Sequence, residues 1–492
     1  MSEDILAKIV RMRREDIERL GLNFGIDIPE KRQVGHTEFL SNAGAILEVK
    51  RASPSKGDIA PDLDPVGLAT TYAEAHAQAV SVLTETNFFK GTLRDLIAVA
   101  NLMECRRKQG LHACSVLRKD FLLFEDEIDI AYCCGADAVL LIARILDDEQ
   151  LVRMAKRAAS FDMQAFVEVR ETDDLRKLKV VTEALGESAA KTIVAGVNSR
   201  DLATFHTDPL VPASVRSKLP AKAVFESGIL CPADATYARN LGFTGILVGE
   251  AVAKNPPLAK EVVHAFESGS ENARGKFWKK FAERKAAKKA GPLVKICGIT
   301  RDEDGKLAAE LGADMLGFVF STTKRLTTEE FVRSFAEKIG PNRPILVGVI
   351  TDPESVEGKT AIKLAKEGVL DAVQLHGVEP KNADFAYYCA ARVGEESDFD
   401  KVVALRKNGE PRILLDAKVE GIPGGTGKTI PENLLREKAG ELPLWLAGGI
   451  NPENVGAIVE KSHPELVDVS SGVEDAPGIK NSEKLKSLFA AL

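Results

Sequence analysis

"FESGI" at 225–229 and "GILVGEA" at 245–251 are two short apolar strands, each running into glycine, with room for one helix between them. The same arrangement returns further along as "WLAGGI" at 445–450 and "VDVSSGVE" at 467–474. Glycine at a strand end lets backbone N–H groups approach an anion, and a helix starting there adds the positive end of its dipole. The last two strands of a (β/α)8 barrel grip a phosphate in this way. Two copies of the device imply two barrels, each acting on a phosphorylated substrate.

Working outward, runs rich in Val, Ile and Leu alternate with helical segments, the pattern of a parallel sheet covered on both faces. The first half carries such runs around 45–51, 79–86, 113–119, 138–144, 164–169, 192–198, 223–227 and 245–249. The second carries them at 293–298, 315–320, 345–351, 372–376, 385–393, 411–417, 443–449 and 466–471. The expected fold is therefore α/β, with two consecutive (β/α)8 TIM barrels over 1–268 and 292–492. Between them, 269–291 reads as a basic helical linker. Its residues 272–290 hold eight Lys or Arg against one Glu, with Phe277, Trp278 and Phe281 on one side. A nucleic-acid arm would be basic too. Strong helix formers and an aromatic edge suit a connecting helix that packs on a barrel better.

At 492 residues the chain exceeds one ordinary core and suits two domains. A net charge of −7 gives no general attraction to nucleic acid or an anionic membrane. No apolar run is long enough to span a bilayer. The first twenty residues read as a charged amphipathic helix, with Ile5, Ile9 and Leu20 on the apolar stripe, and lack a signal peptide's apolar core. A cytoplasmic protein without nucleic-acid or membrane partners is expected, and a monomer, since a covalent pair of barrels already has its partner. Seven cysteines without regular spacing do not form a disulfide framework.

Active sites of such barrels lie at the C-terminal ends of the strands. In the first half those ends carry Glu48 and Lys50 ("EVKRASPSKG"), Lys119 ("LRKDF"), Glu168, Asn198 and Arg200 ("GVNSRDL"), and Glu226 with Ser227 ("ESGI"). So many ionisable groups around one mouth would be a costly way to build a core, so they point to acid–base chemistry. In this order the motifs closely resemble indole-3-glycerol phosphate synthase over about residues 1–265. That family closes the indole ring of 1-(2-carboxyphenylamino)-1-deoxyribulose 5-phosphate with loss of CO2 and water, without cofactor or metal. The resemblance implies Lys119 as principal general acid and Glu168 as its acid/base partner. Glu48, Lys50 and Glu226 complete the set, Asn198 orients the substrate and Arg200 takes its carboxylate. Ser53, Ser227, Gly228 and Gly249 would hold the phosphate. Glu250, where many relatives have serine, is expected to point away from it.

In the second half Cys297 ends "VKIC" and Asp416 lies in "ILLDA". A lone cysteine in an apolar strand is ordinarily packing. Its companions "DAVQLHG" at 371–377, "GGTGKT" at 424–429, "LAGGI" and "VDVSSGVE" resemble phosphoribosylanthranilate isomerase over about 292–492. That family carries out an Amadori rearrangement of N-(5-phosphoribosyl)anthranilate, whose product is the first barrel's substrate. The resemblance implies Asp416 as general acid and Cys297, as thiolate, as general base. Lys295, two residues before Cys297 on the same strand face, is placed to favour the thiolate. Gly448, Gly449, Ser470, Ser471 and Gly472 would cradle the phosphate, and Arg325 would meet the anthranilate carboxylate. The family usually has Ser-Pro-Arg there, whereas this chain has "FSTTKRL"; His376 reads as structural. "GGTGKT" also ends like a nucleotide-binding P-loop, but the position where that motif requires its first glycine, five before Gly427, is Ile422.

Overall fold

Strands buried on both faces need apolar residues at every position, inward for the barrel core and outward for the helices. The sixteen runs are mostly apolar, with the charged and polar exceptions concentrated among the residues named above. In the computed structural model, which describes residues 4–201, 204–378, 383–418, 430–431, 433–435 and 443–492, each run contains a strand. Two compact units result, Met1–Glu271 and Asn272–Leu492.

In the first unit β1 (Gly44–Val49), β2 (Ala79–Leu83), β3 (Ser115–Lys119), β4 (Ala138–Ile142), β5 (Gln164–Val169), β6 (Ile193–Asn198), β7 (Ala223–Glu226) and β8 (Gly245–Val248) form a closed parallel barrel. β8 returns to β1 with Gly245 beside Gly44. Side-chain caps start some of the outer helices; Thr92 and Asp95 form a reciprocal capping box on Leu93–Lys108. The N-terminal helix, Ile5–Leu20, buries Leu6, Ile9 and Arg13, while Leu20 is exposed. The expected stripe is thus displaced by a charged residue. Arg13 enters the interior because Asp120 receives it at 2.7 Å and Glu127 bonds its other nitrogen.

In the second unit β9 (Leu293–Cys297), β10 (Met315–Val319), β11 (Ile345–Ile350), β12 (Ala372–His376), β13 (Tyr387–Val393), β14 (Ile413–Ala417), β15 (Trp445–Ala447) and β16 (Leu466–Val469) close the second parallel barrel. The run 443–449 yields only three strand residues, because Gly448 and Gly449 take φ of +90° and +64° and turn the chain out of the sheet. The "GGTGKT" segment lies outside the described residues. None of the described helices is long and apolar enough to cross a membrane.

The basic segment is not a joint standing apart from both barrels. Its helix, Ala273–Ala287, belongs to the second unit, with Trp278 and Phe281 fully buried and Phe277 2% exposed. Phe277 stacks on Tyr388, and Phe281 lies 4.6 Å, centroid to centroid, from Trp445. Its cations pair with carboxylates at the N-terminal ends of barrel strands. Arg274 meets Glu410, Lys280 meets Asp371, Lys285 meets Glu465, and the following Lys288 meets Asp314. An aromatic edge that fills the bottom of one barrel, and charges spent on that barrel, place the boundary at Glu271–Asn272.

Candidate active sites

Three strand ends of the first barrel meet at one ammonium. Lys119 Nζ lies 3.1 Å from Glu168 Oε2 and 3.2 Å from Glu226 Oε2. Glu168 Oε1 accepts from Asn198 Nδ2 at 3.3 Å, and Glu48 Oε1 lies 3.1 Å from Lys50 Nζ. All six candidate acid–base and orienting residues line one cavity of about 110 Å³, which Ser53, Arg200 and Ser227 share. Arg200 donates to Ser55 Oγ at 3.2 Å. Ile5, Leu6 and Ile9 of the N-terminal helix form part of the wall.

Burial opposes the charge on Lys119, but Glu226, Glu168 and Glu48 outweigh it and hold its pKa above the usual lysine range. Burial pushes the Glu226 carboxyl up, against the pull of Lys119. Glu226 Oε1 is buried without a hydrogen-bond partner among the described residues, which suits a substrate donor. The glycines of this mouth serve it from behind. A Cβ on Gly249 would meet Glu48 Oε1 at 2.6 Å, and one on Gly196 would meet Glu226 Oε1 at 2.2 Å. Gly228, at φ +75°, turns the chain after Ser227. Glu250 Oε1 is bonded to Lys254 at 2.7 Å. The helix after Gly249 is only five residues long, Glu250–Lys254, so the dipole expected from sequence is small.

The second mouth encloses about 410 Å³, lined by Cys297, Arg325, Asp416, Gly448, Gly449, Ser470 and Ser471 together with His376, Arg392, Gln374 and Asp468. Cys297 and Asp416 come from opposite sides of the ring, at the ends of β9 and β14. Room for the thiol comes from Gly317 of β10, where a Cβ would lie 2.6 Å from Sγ. Gly472 packs behind the cradle; its Cβ would meet the Ile450 carbonyl at 2.0 Å.

Lys295 favours the Cys297 thiolate, as expected, but burial outweighs it. Its ammonium is drawn to Asp468 Oδ2 at 2.6 Å and Gln374 Oε1 at 2.9 Å. Burial raises the Cys297 pKa, and the lysine offsets this only in part. Asp416 is raised to about 6, by burial first and then by Asp468, while Arg392 pulls it down. His376 Nε2 lies 3.4 Å from Asp416 Oδ2 and accepts from Arg392 Nε at 3.3 Å. Burial and the Arg392 charge lower its pKa to about 4, so the ring is neutral. His376, read as structural from sequence, therefore lies against the Asp416 carboxyl. Asp468 was missed as a site residue; its Oδ1 is buried without a partner among the described residues. The signal was an aspartate between two valines of an apolar strand. Arg325 holds Glu474 at 2.7 Å through Nη2 and at 3.0 Å through Nε.

Each unit is thus a barrel of the enzyme class that moves protons on a phosphorylated small molecule. Residues 6–265 match the family model of indole-3-glycerol phosphate synthase, and 294–491 match that of N-(5'-phosphoribosyl)anthranilate isomerase. The chain is 33% identical over 490 residues to the multifunctional tryptophan biosynthesis protein of Schizosaccharomyces pombe, covering 92% of this chain and 60% of that protein. It is 30% identical to the protein of the same description from Phanerodontia chrysosporium, over 99% of this chain and 69% of the relative. The phosphoribosyl anthranilate isomerase structure from Thermotoga maritima is 36% identical over 41% of this chain and 98% of its own, with a TM-score of 0.37. The chain belongs to both families, synthase first and isomerase second.

Proposed function

We propose that the chain runs two consecutive steps of tryptophan synthesis. Its second unit isomerises N-(5-phosphoribosyl)anthranilate to 1-(2-carboxyphenylamino)-1-deoxyribulose 5-phosphate, and its first converts that product to indole-3-glycerol phosphate, CO2 and water. The observation that carries the reading is that each cavity by itself unites proton donors and proton acceptors with strand-end serines, Ser53 and Ser227 in the first and Ser470 and Ser471 beside Gly448 and Gly449 in the second.

In the isomerase, Asp416 protonates the ribose ring oxygen as the ring opens, and Cys297 removes the proton from C2; the enol then becomes the ketone. A carboxyl raised to about 6 by burial retains part of its protons near neutrality, as an acid at that position requires. The thiol is a base only in its minor ionised fraction. Arg325 holds the anthranilate carboxylate, and Gly448, Gly449, Ser470 and Ser471 hold the phosphate.

In the synthase, Lys119 remains an ammonium between three carboxylates and protonates the ribulose carbonyl as the aromatic carbon attacks it. Glu168 and Glu226 exchange protons during the dehydration, Asn198 orients the substrate, and Arg200 takes its carboxylate. Side-chain proton transfers suffice for both reactions. The working form is a single cytoplasmic chain, a point light scattering would check.

The test is to separate the activities. Lys119→Met removes a proton donor at similar side-chain length, and Cys297→Ala removes the base. Each should lower its own reaction by about 10²–10⁴-fold and leave the other near parental. Normal synthase turnover in Lys119→Met would remove Lys119 from the acid role, and normal isomerase turnover in Cys297→Ala would return the cysteine to packing.

A further inference from the structure

Beyond β16 the chain forms a short hairpin, Glu474–Ala476 against Ile479–Lys480, turned by Gly478 at φ +86°. Its register sets Glu474 opposite Lys480. The Lys480 side chain is fully buried. Its ammonium donates to the Cys297 carbonyl at 2.5 Å, the Ser470 carbonyl at 3.1 Å and Glu474 Oε1 at 2.8 Å. Three N–H bonds thus meet three acceptors, so this lysine has no proton to spare for a substrate. Its acceptors are the end of the strand bearing the base, the start of the phosphate cradle, and a carboxylate.

That carboxylate is the one that holds Arg325. Glu474 also accepts from the Gly478 N–H at 3.1 Å, so the hairpin fixes it before the arginine arrives. Arg325 meets it through Nε and Nη2, which leaves, among the described residues, Nη1 and the second Nη2 hydrogen for a ligand carboxylate. A Cβ on Gly298 would lie 2.8 Å from Arg325 Cδ, so the glycine after Cys297 lets the arginine stem lie across the mouth.

We infer that Glu474 and Lys480 are positioning residues of the isomerase site, the first fixing Arg325 and the second tying that arginine's anchor to the base and the phosphate cradle. The inference rests on the reading of this unit as the isomerase with Arg325 on the substrate carboxylate. Neither residue touches substrate. Glu474 acts on binding through Arg325, whereas Lys480 acts also on the geometry of Cys297.

The experiment measures isomerase kcat and KM with N-(5-phosphoribosyl)anthranilate on the full chain. Urea unfolding of each preparation, followed by circular dichroism, is the folding control for the isomerase barrel, and synthase activity is that for the first. Glu474→Gln, which keeps the shape, should raise KM roughly tenfold with kcat within about twofold, the pattern of lost uniform binding. The penalty should vanish once Arg325 is gone, so Glu474→Gln with Arg325→Met should bind no worse than Arg325→Met alone. Lys480→Met should lower kcat as well as raise KM. An active parent in which Glu474→Gln leaves KM unmoved, or in which the two penalties multiply, overturns the inference alone. A parent without isomerase turnover overturns the reading beneath it.

Discussion

Cutting the chain at residue 291 removes the helix Ala273–Ala287 from the second barrel, whereas cutting at 271 retains it. The difference is large because Phe277, Trp278 and Phe281 are all but fully buried against Tyr388 and Trp445. At about 1.5–3 kcal/mol for each fully buried large apolar side chain, the three together contribute roughly 5–9 kcal/mol. A whole domain has only about 5–15 kcal/mol of net stability. Losing Arg274 also leaves Glu410, 4% exposed and with its pKa already raised by burial, without its cation. The partly exposed pairs of Lys280, Lys285 and Lys288 add at most about 1 kcal/mol each. The fragment 272–492 is therefore expected to fold and isomerise, and 292–492 to be unfolded or aggregated. Urea unfolding followed by circular dichroism, with isomerase assays on both fragments, makes the comparison. Equal unfolding midpoints and equal activity would refute the assignment of the helix to this barrel's core.

Isomerase kcat/KM should follow the product of protonated Asp416 and ionised Cys297. Below pH about 6 the aspartate is already protonated, so the rate rises with pH as thiolate grows; above it the two changes cancel, and the fall comes only beyond the raised thiol pKa. Arg392→Leu removes a cation that favours the ionised Asp416, so the break near 6 should move to higher pH; a break that stays put would detach Arg392 from the acid. Gly317→Ala puts a Cβ 2.6 Å from Sγ of Cys297, too close for the thiol to stay in place, and a displacement of about 1 Å should cost on the order of 10²-fold in isomerase kcat, with synthase turnover unchanged. An undiminished kcat would show that the thiol has slack.

The barrels were legible because strands buried on both faces leave largely apolar runs, and because charged residues at their ends have no structural reason to cluster. Lys119, Glu168 and Glu226 meet as their strand positions implied. Pairwise electrostatics was less legible. Lys295 lies on the same face as Cys297 and pulls its pKa down as expected, but its ammonium also bonds Asp468, a partner from β16 that the strand pattern of β9 does not announce. The Glu474–Lys480 pair depends on hairpin register, and Arg325 reaches Glu474 across 149 positions of sequence. The aromatic edge of the basic helix showed that one face is buried but not against what. Amphipathicity reports the existence of a partner surface, while Tyr388 and Trp445 are brought to it only by closure of the barrel.

The most direct measurement is a one-pot assay in which the purified chain is the sole enzyme and N-(5-phosphoribosyl)anthranilate the sole substrate, with indole-3-glycerol phosphate and CO2 quantified. The parent should yield both in equal amounts, Lys119→Met should stop at 1-(2-carboxyphenylamino)-1-deoxyribulose 5-phosphate, and Cys297→Ala should leave the starting compound unconsumed. No indole-3-glycerol phosphate from the parent, or its undiminished appearance with either variant, would contradict the assignment of two consecutive reactions to these two mouths.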